Sequence, residues 1–216
     1  MIKMRGLFFI LFILIASINP VIPIYCQTPN YSKSELSLWD KKNLDVVTFN
    51  NGDSILQVHT IEDWVKATTE KKPAYCIYGD SSANAGKYGH IYNWYAVNDP
   101  RGLAPSGWKI PTTENWNELL ASLGDPSNVG MKLKSIKGWF NNNGKDTSFQ
   151  FNALPGGYRS SCGHFFDSEG SIITWWTSES DGNNTAKSVS LSSENQTILK
   201  KSSNKGSGFY VRCIKN

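Results

Sequence analysis

Short motifs for the common enzyme chemistries are missing from this sequence. It contains no G-x-S-x-G, no P-loop and no H-E-x-x-H, the patterns that position a nucleophilic serine, cradle a phosphate or hold a catalytic zinc. Its three histidines, His59, His90 and His164, lie far apart, and none has the spacing of a metal site. We therefore assign no catalytic residue, metal ligand or cofactor, and expect each histidine to have a surface or structural role.

An excess of one charge is also lacking. The chain has 22 basic and 18 acidic residues, a formal net charge of +4. This balance gives no reason to expect nucleic acid or an anionic membrane surface as a partner. A weak cluster of Lys200, Lys201 and Lys205 is interpreted as the solvated edge of a hairpin.

Long apolar runs are absent except for one near the N-terminus. The run from Gly6 to Ile18 falls well short of the ~20 residues that span a bilayer, so a membrane anchor is the less favoured alternative. A basic start before a short apolar centre predicts a signal peptide over residues 1–26 and no stable membrane span. Lipidation at Cys26 is the other alternative, and Tyr25 disfavours it. We expect an exported protein, secreted or on the outer cell surface.

Residues 27–37 are polar and are predicted to form a short tether. Residues 38–216 contain no repeat or linker and predict one α+β domain with many loops. All eight tryptophans follow the predicted leader, and aromatic rings bury large areas. The residues expected in the core are Trp94, Trp108, Trp116, Trp175 and Cys213.

One helix is marked at both ends. Thr112 or Thr113 can cap its N-terminus, and Gly124 is placed to end it. Between them, apolar residues fall at the spacing of a helix with one buried face, namely Trp116, Leu119, Leu120 and Leu123.

Other elements are predicted from local patterns. Thr60 can cap a short helix that Pro73 ends, and AYCIY is typical of a strand. Residues 79–87 are predicted to be a surface loop, and KSVSL with QTILK to be a hairpin. The segment GFYVRCI predicts a closing strand with Phe209, Val211 and Cys213 on one face.

Several motifs occur together in order: WDKKNLDVVTFNNGD, AYCIYGD, YGHIYNWYAV, APSGWKIPTTENW, FNALPGGYR, WWTSES and GFYVRCIKN. In this order the chain resembles the Fibrobacter succinogenes major paralogous domain, a secreted bacterial family, over residues 38–216. That family is similar in turn to the C-type lectin-like superfold. The resemblance implies two short main helices, the first at about 91–97, packed on small mixed or antiparallel sheets with long loops. It also implies that the N- and C-terminal strands meet.

The resemblance bears on chemistry as well. The sugar site of true C-type lectins uses EPN- or QPD-like triplets and a WND, and this chain has none of them. Calcium bound by scattered loop oxygens is left open. Relatives of the formylglycine-generating type need a reactive cysteine pair. Here Cys162 lies in a turn, whereas Cys76 and Cys213 lie in predicted strands, so we expect no enzyme.

The resemblance also implies a disulfide that this chain cannot form. Many members of the family carry a cysteine where this chain has Ala104, and it is expected to pair with the closing-strand cysteine. That partner is missing here. We expect Cys213 to be a buried free thiol or, as the alternative, to pair with Cys76.

The sequence thus predicts a non-enzymatic binding or adhesion domain that recognises an unknown polar partner, a glycan or a protein. Loops rich in Asn, Ser, Gly and Lys, at 141–148, 178–185 and 202–207, are expected to share one side of the domain. The candidate ligand-binding residues are Trp139, Phe140, Asn141, Asn142 and Asn183. The alternatives are an enzyme of the formylglycine-generating, sulfatase-modifying type and a structural module of a cell-surface assembly.

Overall fold

The structure is a computed structural model that describes residues 35–141, 151–165 and 169–216. The predicted leader, most of the tether and Asn142 lie outside these residues. Within them the α-helices are α1 (Ile61–Thr69), α2 (Ser82–Tyr88), α3 (Trp94–Val97), α4 (Thr113–Ser122) and α5 (Val129–Leu133). In this described part, no helix is long and apolar enough to cross a membrane.

The strands form several small sheets. They are β1 (Leu56–Gln57), β2 (Ala74–Cys76), β3 (Ile91–Asn93), β4 (Trp108–Lys109), β5 (Ile172–Ser180), β6 (Thr185–Ser192), β7 (Ile198–Asn204), β8 (Gly208–Phe209) and β9 (Ile214–Lys215). One sheet has the order β1-β2-β3-β8, a second pairs β4 with β9, and the third is the antiparallel meander β5-β6-β7. The fold is therefore mixed α and β, with few helices and several small sheets, as the sequence predicted at that level.

Helix α4 forms where its sequence signals place it. Thr112 is the N-cap and makes a capping box with Asn115, which satisfies backbone groups at the helix start. Trp116 and Leu119 point into the core, and Gly124 follows the helix at φ +85°, a conformation that glycine adopts without strain. Helix α1 is likewise capped, by the Thr60 hydroxyl that accepts from the Asp63 amide.

Two local predictions are wrong. Residues 79–87 are not a surface loop, because α2 occupies most of them. Only Tyr88 of this helix is buried, so its sequence has no apolar stripe of the kind that predicts a helix. The predicted helix at 91–97 begins as strand β3, because residues 91 and 92 pair with β2 and residues 92 and 93 pair with β8. The helix starts only after Asn93, whose side chain accepts from the Ala96 amide as an N-cap.

The closing segment, residues 208–214, separates two hydrophobic clusters. Tyr210 and Ile214 belong to a first cluster, which contains Trp116 and Trp175. Phe209, Val211 and Cys213 belong to a second, which contains Trp94 and Trp176. The predicted alternation of the segment is therefore present, although regular strand geometry is limited to β8 and β9. Each face of the alternation fills a different part of the core.

The two ends of the described domain lie against each other. Trp39 forms an isolated bridge with Ile214, and the Leu44 amide donates to the Val211 carbonyl at 2.8 Å. The expected core residue Trp108 lies nearer the surface than expected. It is only partly buried, against the second cluster, with the Lys215 ammonium 5.8 Å from its ring.

The three cysteines in the described residues are free, and Cys76 and Cys213 lie in different clusters. Ala104 packs against the second cluster, which contains Cys213. We expect Ala104→Cys to form a bridge with Cys213 and to raise the free energy of unfolding by ~2–4 kcal/mol, because the bridge closes a long loop of the unfolded chain. Thiol titration under denaturing conditions and urea unfolding check this. Four reactive thiols, or two with no gain in stability, would refute it.

Candidate functional site

Trp139 does not belong to a binding surface, contrary to the sequence prediction. Its side chain is 4% exposed, and its indole N–H donates to the Ala153 carbonyl at 3.0 Å and the Ser135 hydroxyl at 3.2 Å. The Lys134 ammonium lies 4.8 Å from the ring centre. An indole buried with its N–H satisfied is a core residue.

The described parts of the polar loops do not share one side either, and of the loop at 141–148 only Asn141 is described. The Asn141 side-chain amide donates to Glu194 Oε1 at 3.3 Å, in the turn between β6 and β7. Asn183 is exposed in the turn between β5 and β6, at the opposite end of β6. An eight-residue strand at ~3.3 Å per residue separates these ends by more than about 20 Å. Asn183 therefore cannot act together with Asn141 on a small ligand.

The third loop lies near Asn183. The Lys205 amide donates to the Asn184 carbonyl at 2.9 Å. The Lys205 side chain is 8% exposed, and its ammonium donates to the Gly182 carbonyl at 2.7 Å and lies over the Trp94 ring. The prediction that Lys205 is a solvated edge residue is wrong, whereas Lys200 and Lys201 are exposed on β7.

An exposed aromatic side chain marks residues 136–141, named here the aromatic loop. Phe140 is 70% exposed and Ile136 is 51% exposed. The Phe140 amide donates to the Gly170 carbonyl at 2.8 Å. A Cβ at Gly170 would lie 2.6 Å from the Phe140 ring, so the ring rests directly on the glycine backbone. Phe140 is thus held in place while most of its surface faces solvent.

Next to Gly170, an acidic side chain connects the aromatic loop to α2. Glu169 Oε1 accepts from the Tyr88 hydroxyl at 2.6 Å and pairs with the Lys87 ammonium at 3.2 Å. The hydrogen bond from Tyr88, helped by Lys87, lowers the pKa of the Glu169 carboxyl below its ordinary value. Glu169 is therefore ionised at neutral pH and fixes Lys87 beside the loop.

A polar pocket of about 240 Å³ opens beyond Lys87. We call it the basic pocket, and the side chains that matter here are Lys41, Lys42, Asn43, Lys87 and Arg212. The two N-terminal lysines are exposed at its rim, whereas Asn43 and Arg212 are buried at 8% and 2% exposure. The pocket exists because the segment 41–45 runs between α2 and the closing segment.

Arg212 lies at the centre of several chain segments. Its Nε donates to Asn43 Oδ1 at 2.9 Å, and its Nη1 donates to the Asp40 and Phe151 carbonyls at 3.2 and 2.8 Å. Asn43 Oδ1 also accepts from the Trp175 indole at 2.9 Å. Burial lowers the pKa of the Arg212 guanidinium to about 10, which leaves it charged at neutral pH.

The histidines and cysteines have surface or structural surroundings. His59 pairs with Asp80 at 2.6 Å on the surface, His164 is exposed, and buried His90 stacks on Tyr75 with ring centres 4.8 Å apart. Burial raises the pKa of the Cys76 and Cys213 thiols to about 12, so both are protonated at neutral pH. The described residues contain no group of three or more His, Cys, Asp or Glu side chains that could hold a metal ion.

Sequence reasoning missed most of this surface. The sequence predicts a surface loop at Lys87, and Gly170 carries no local signal of its contact with Phe140. A basic residue within an otherwise apolar closing segment, Arg212, was the one sign available. The structure brings together Phe140 and Asn141 from the predicted set and leaves out Trp139 and Asn183.

Comparison with known proteins gives one match. The model of the Fibrobacter succinogenes major domain matches residues 36–215, which is nearly all of the described part of the chain. No curated protein and no solved structure matches the chain. No solved structure therefore supports the expected likeness to the C-type lectin-like and sulfatase-modifying folds. The chain belongs to the Fibrobacter succinogenes major domain family.

Proposed function

We propose that this protein is an exported, non-enzymatic binding domain that holds a polar partner, a glycan or a protein, against the aromatic loop. The observation that carries the proposal is Phe140, an aromatic ring 70% exposed and fixed on the backbone of Gly170. Single exposed apolar side chains are common. A ring that is both exposed and positioned offers contact area at little cost in conformational entropy.

The surroundings of Phe140 suit a polar partner. Asn141 is exposed beside it, and the ion pair of Glu169 with Lys87 lies next to Gly170. An aromatic side chain bordered by amide and charged groups is the composition of an interface with an apolar centre and a polar rim. The ring can pack on the apolar face of a sugar or on a side chain, while the amide and charges bind hydroxyl or peptide groups.

The surroundings of the cysteines favour binding over the enzyme alternative. Cys76 and Cys213 lie in separate clusters and stay protonated at neutral pH, so they do not form the reactive pair that formylglycine-type chemistry needs. The basic leader followed by the short apolar run supports export. We also infer a C-type lectin-like arrangement, since the terminal segments meet at Trp39 and Ile214 and α4 packs on the meander that contains β5.

Phe140→Ala tests the proposal. The substitution is expected to reduce binding of the purified domain to whole cells or to a glycan array by at least about tenfold, because it removes an exposed anchor of the contact. The melting temperature is expected to stay nearly unchanged, since the ring is mostly outside the core. Binding is measured with labelled protein, and stability by circular dichroism.

Leu56→Ala is the matched control. Leu56 is also a large exposed apolar residue, at 49%, but it lies on β1, which pairs with β2 and is not part of the aromatic loop. Its replacement should leave binding within about twofold of the unchanged protein. Equal losses for the two variants, or no loss for Phe140→Ala, would show that the aromatic loop is not the binding surface.

A further inference from the structure

Arg212 carries a buried charge that has no ion-pair partner among the described residues. The residue is 2% exposed, and none of the ion pairs found among the described residues includes it. The three hydrogen bonds that it donates all go to neutral oxygens, of Asn43, Asp40 and Phe151. Buried charges in proteins are normally paired, because removing an ion from water is costly. Within the described residues, this cation is therefore stabilised by dipoles at contact distance and by the charge of the Asp40 carboxylate from beyond ion-pair distance.

The same guanidinium borders the basic pocket. The hydrogen bonds of the described residues use Nε and Nη1 of Arg212, and none of them uses Nη2. The pocket volume of about 240 Å³ is the volume that roughly eight water molecules occupy in liquid water, at ~30 Å³ each. That volume suits a small organic molecule of about monosaccharide size and excludes a folded partner.

The charge around the pocket favours an anion. Lys41, Lys42 and Lys87 join Arg212 in the lining, against the single carboxylate of Asp45. Two further carboxylates lie close by but are already engaged. Asp40 accepts from the Lys42 backbone amide at 3.1 Å, and Glu169 accepts from Tyr88 and Lys87. Neither forms an ion pair with Arg212 among the pairs described, although the Asp40 carboxylate attracts the guanidinium from a greater distance.

We propose that the basic pocket binds the acidic group of a small sugar-like ligand, an oxyanion held between the Arg212 guanidinium and the Lys41 and Lys42 ammonium groups. Charge-assisted hydrogen bonds from guanidinium and ammonium groups to an oxyanion are stronger than those between neutral groups. Asn152 and Leu154 complete the lining with an amide and an apolar side chain, which suit hydroxyl groups and the apolar face of a sugar ring. A uronate carboxylate and a sulfate ester share this chemistry.

The inference goes beyond the proposed function, because it concerns a small ligand and a pocket separate from the Phe140 ring. The Glu169–Lys87 pair lies between the two sites, so an acidic sugar in the pocket could belong to a glycan that also touches the aromatic loop. The test below uses free small molecules and does not depend on adhesion. A failure of one proposal therefore leaves the other standing.

The experiment is an NMR titration of the purified domain at constant ionic strength. The probes are sodium glucuronate, glucose 6-sulfate and, as the neutral comparison, methyl glucoside. We expect saturable shifts of the Arg212 Nε–H signal with at least one acidic probe and none with methyl glucoside. A stronger response to glucuronate identifies a carboxylate ligand, and a stronger response to the sulfate ester identifies a sulfated one. Absence of saturable shifts with both acidic probes would overturn the proposal.

A double charge reversal tests the pocket without disturbing buried Arg212. Lys41→Glu with Lys42→Glu is expected to weaken binding of the acidic probe by at least about tenfold, because the rim then repels the anion. The control is Lys200→Glu with Lys201→Glu, which changes the net charge equally at exposed positions on β7, the outer strand of the meander, whose residues do not line the basic pocket. It should change binding by less than about twofold, since distant exposed charges are screened at physiological salt. Equal weakening by both pairs would show a general charge effect and refute the site.

Discussion

Replacing Trp116 with alanine is expected to lower the free energy of unfolding by ~3–5 kcal/mol, the usual cost of deleting a fully buried large aromatic side chain. Trp116 is 0% exposed. Its ring centre lies 4.6 Å from that of Trp39, 5.3 Å from that of Trp175 and 5.8 Å from that of Phe151. These rings join the N-terminal segment, α4 and the meander, so the cavity would open between three parts of the chain and could not collapse easily.

Urea unfolding followed by circular dichroism measures this loss. Trp108→Ala is the matched control, because that tryptophan is only partly buried at the edge of the second cluster, and it should cost clearly less. Trp116→Phe should also cost less than the alanine variant. It keeps a ring in the cluster and deletes a buried indole N–H that has no acceptor among the described residues. A loss below about 1 kcal/mol for Trp116→Ala would contradict its place in the core.

Arg159→Ala is expected to be comparably damaging, at ~3–5 kcal/mol. The Arg159 side chain is 1% exposed and lies 4.8 Å from the ring centres of both Trp64 and Phe165. It donates to three backbone carbonyls, at 2.6 Å to Thr60, 2.8 Å to Gly163 and 3.4 Å to Val58. Each buried acceptor left unsatisfied costs about 1–3 kcal/mol, and the cation–π contacts are lost as well.

The position of these carbonyls explains why the effect should be large. Val58 and Thr60 precede α1, whereas Gly163 belongs to the turn after Arg159 and packs so closely on Ile61 that a Cβ would lie 2.8 Å from its side chain. Arg159 therefore joins the start of α1 to a turn about a hundred residues later in the chain. Arg159→Lys should recover only part of the loss, because one ammonium group cannot reach three carbonyls in the way that a planar guanidinium does.

Arg101→Ala is the control for Arg159. Arg101 makes comparably good hydrogen bonds, to Asp99 at 2.8 and 3.0 Å and to Asp53 at 3.0 Å, but its side chain is 35% exposed. Ion pairs that face solvent contribute little to stability, so a much smaller loss is expected. Similar midpoints of urea unfolding for the two alanine variants would show that burial of Arg159 does not matter.

The sequence by itself determined the family and the elements whose signals are local. Helix α4 forms between Thr112, one of the two predicted caps, and the predicted stop at Gly124, and the hairpin of β6 and β7 forms where alternation and turn residues indicated it. These predictions succeed because capping and periodicity depend on residues a few positions apart. The sequence also predicted the alternation of the closing segment. It did not predict that the two faces of this segment fill two separate clusters.

Only the tertiary structure decided which residues of the candidate site are exposed. Trp139 and Phe140 are neighbours in sequence, yet one is buried and the other faces solvent, because Ala153 accepts the Trp139 indole N–H and Gly170 supports the Phe140 ring. Arg212 became part of a pocket through contacts with the other end of the chain. Exposure depends on which distant segments pack against a side chain, and a local pattern does not contain that information.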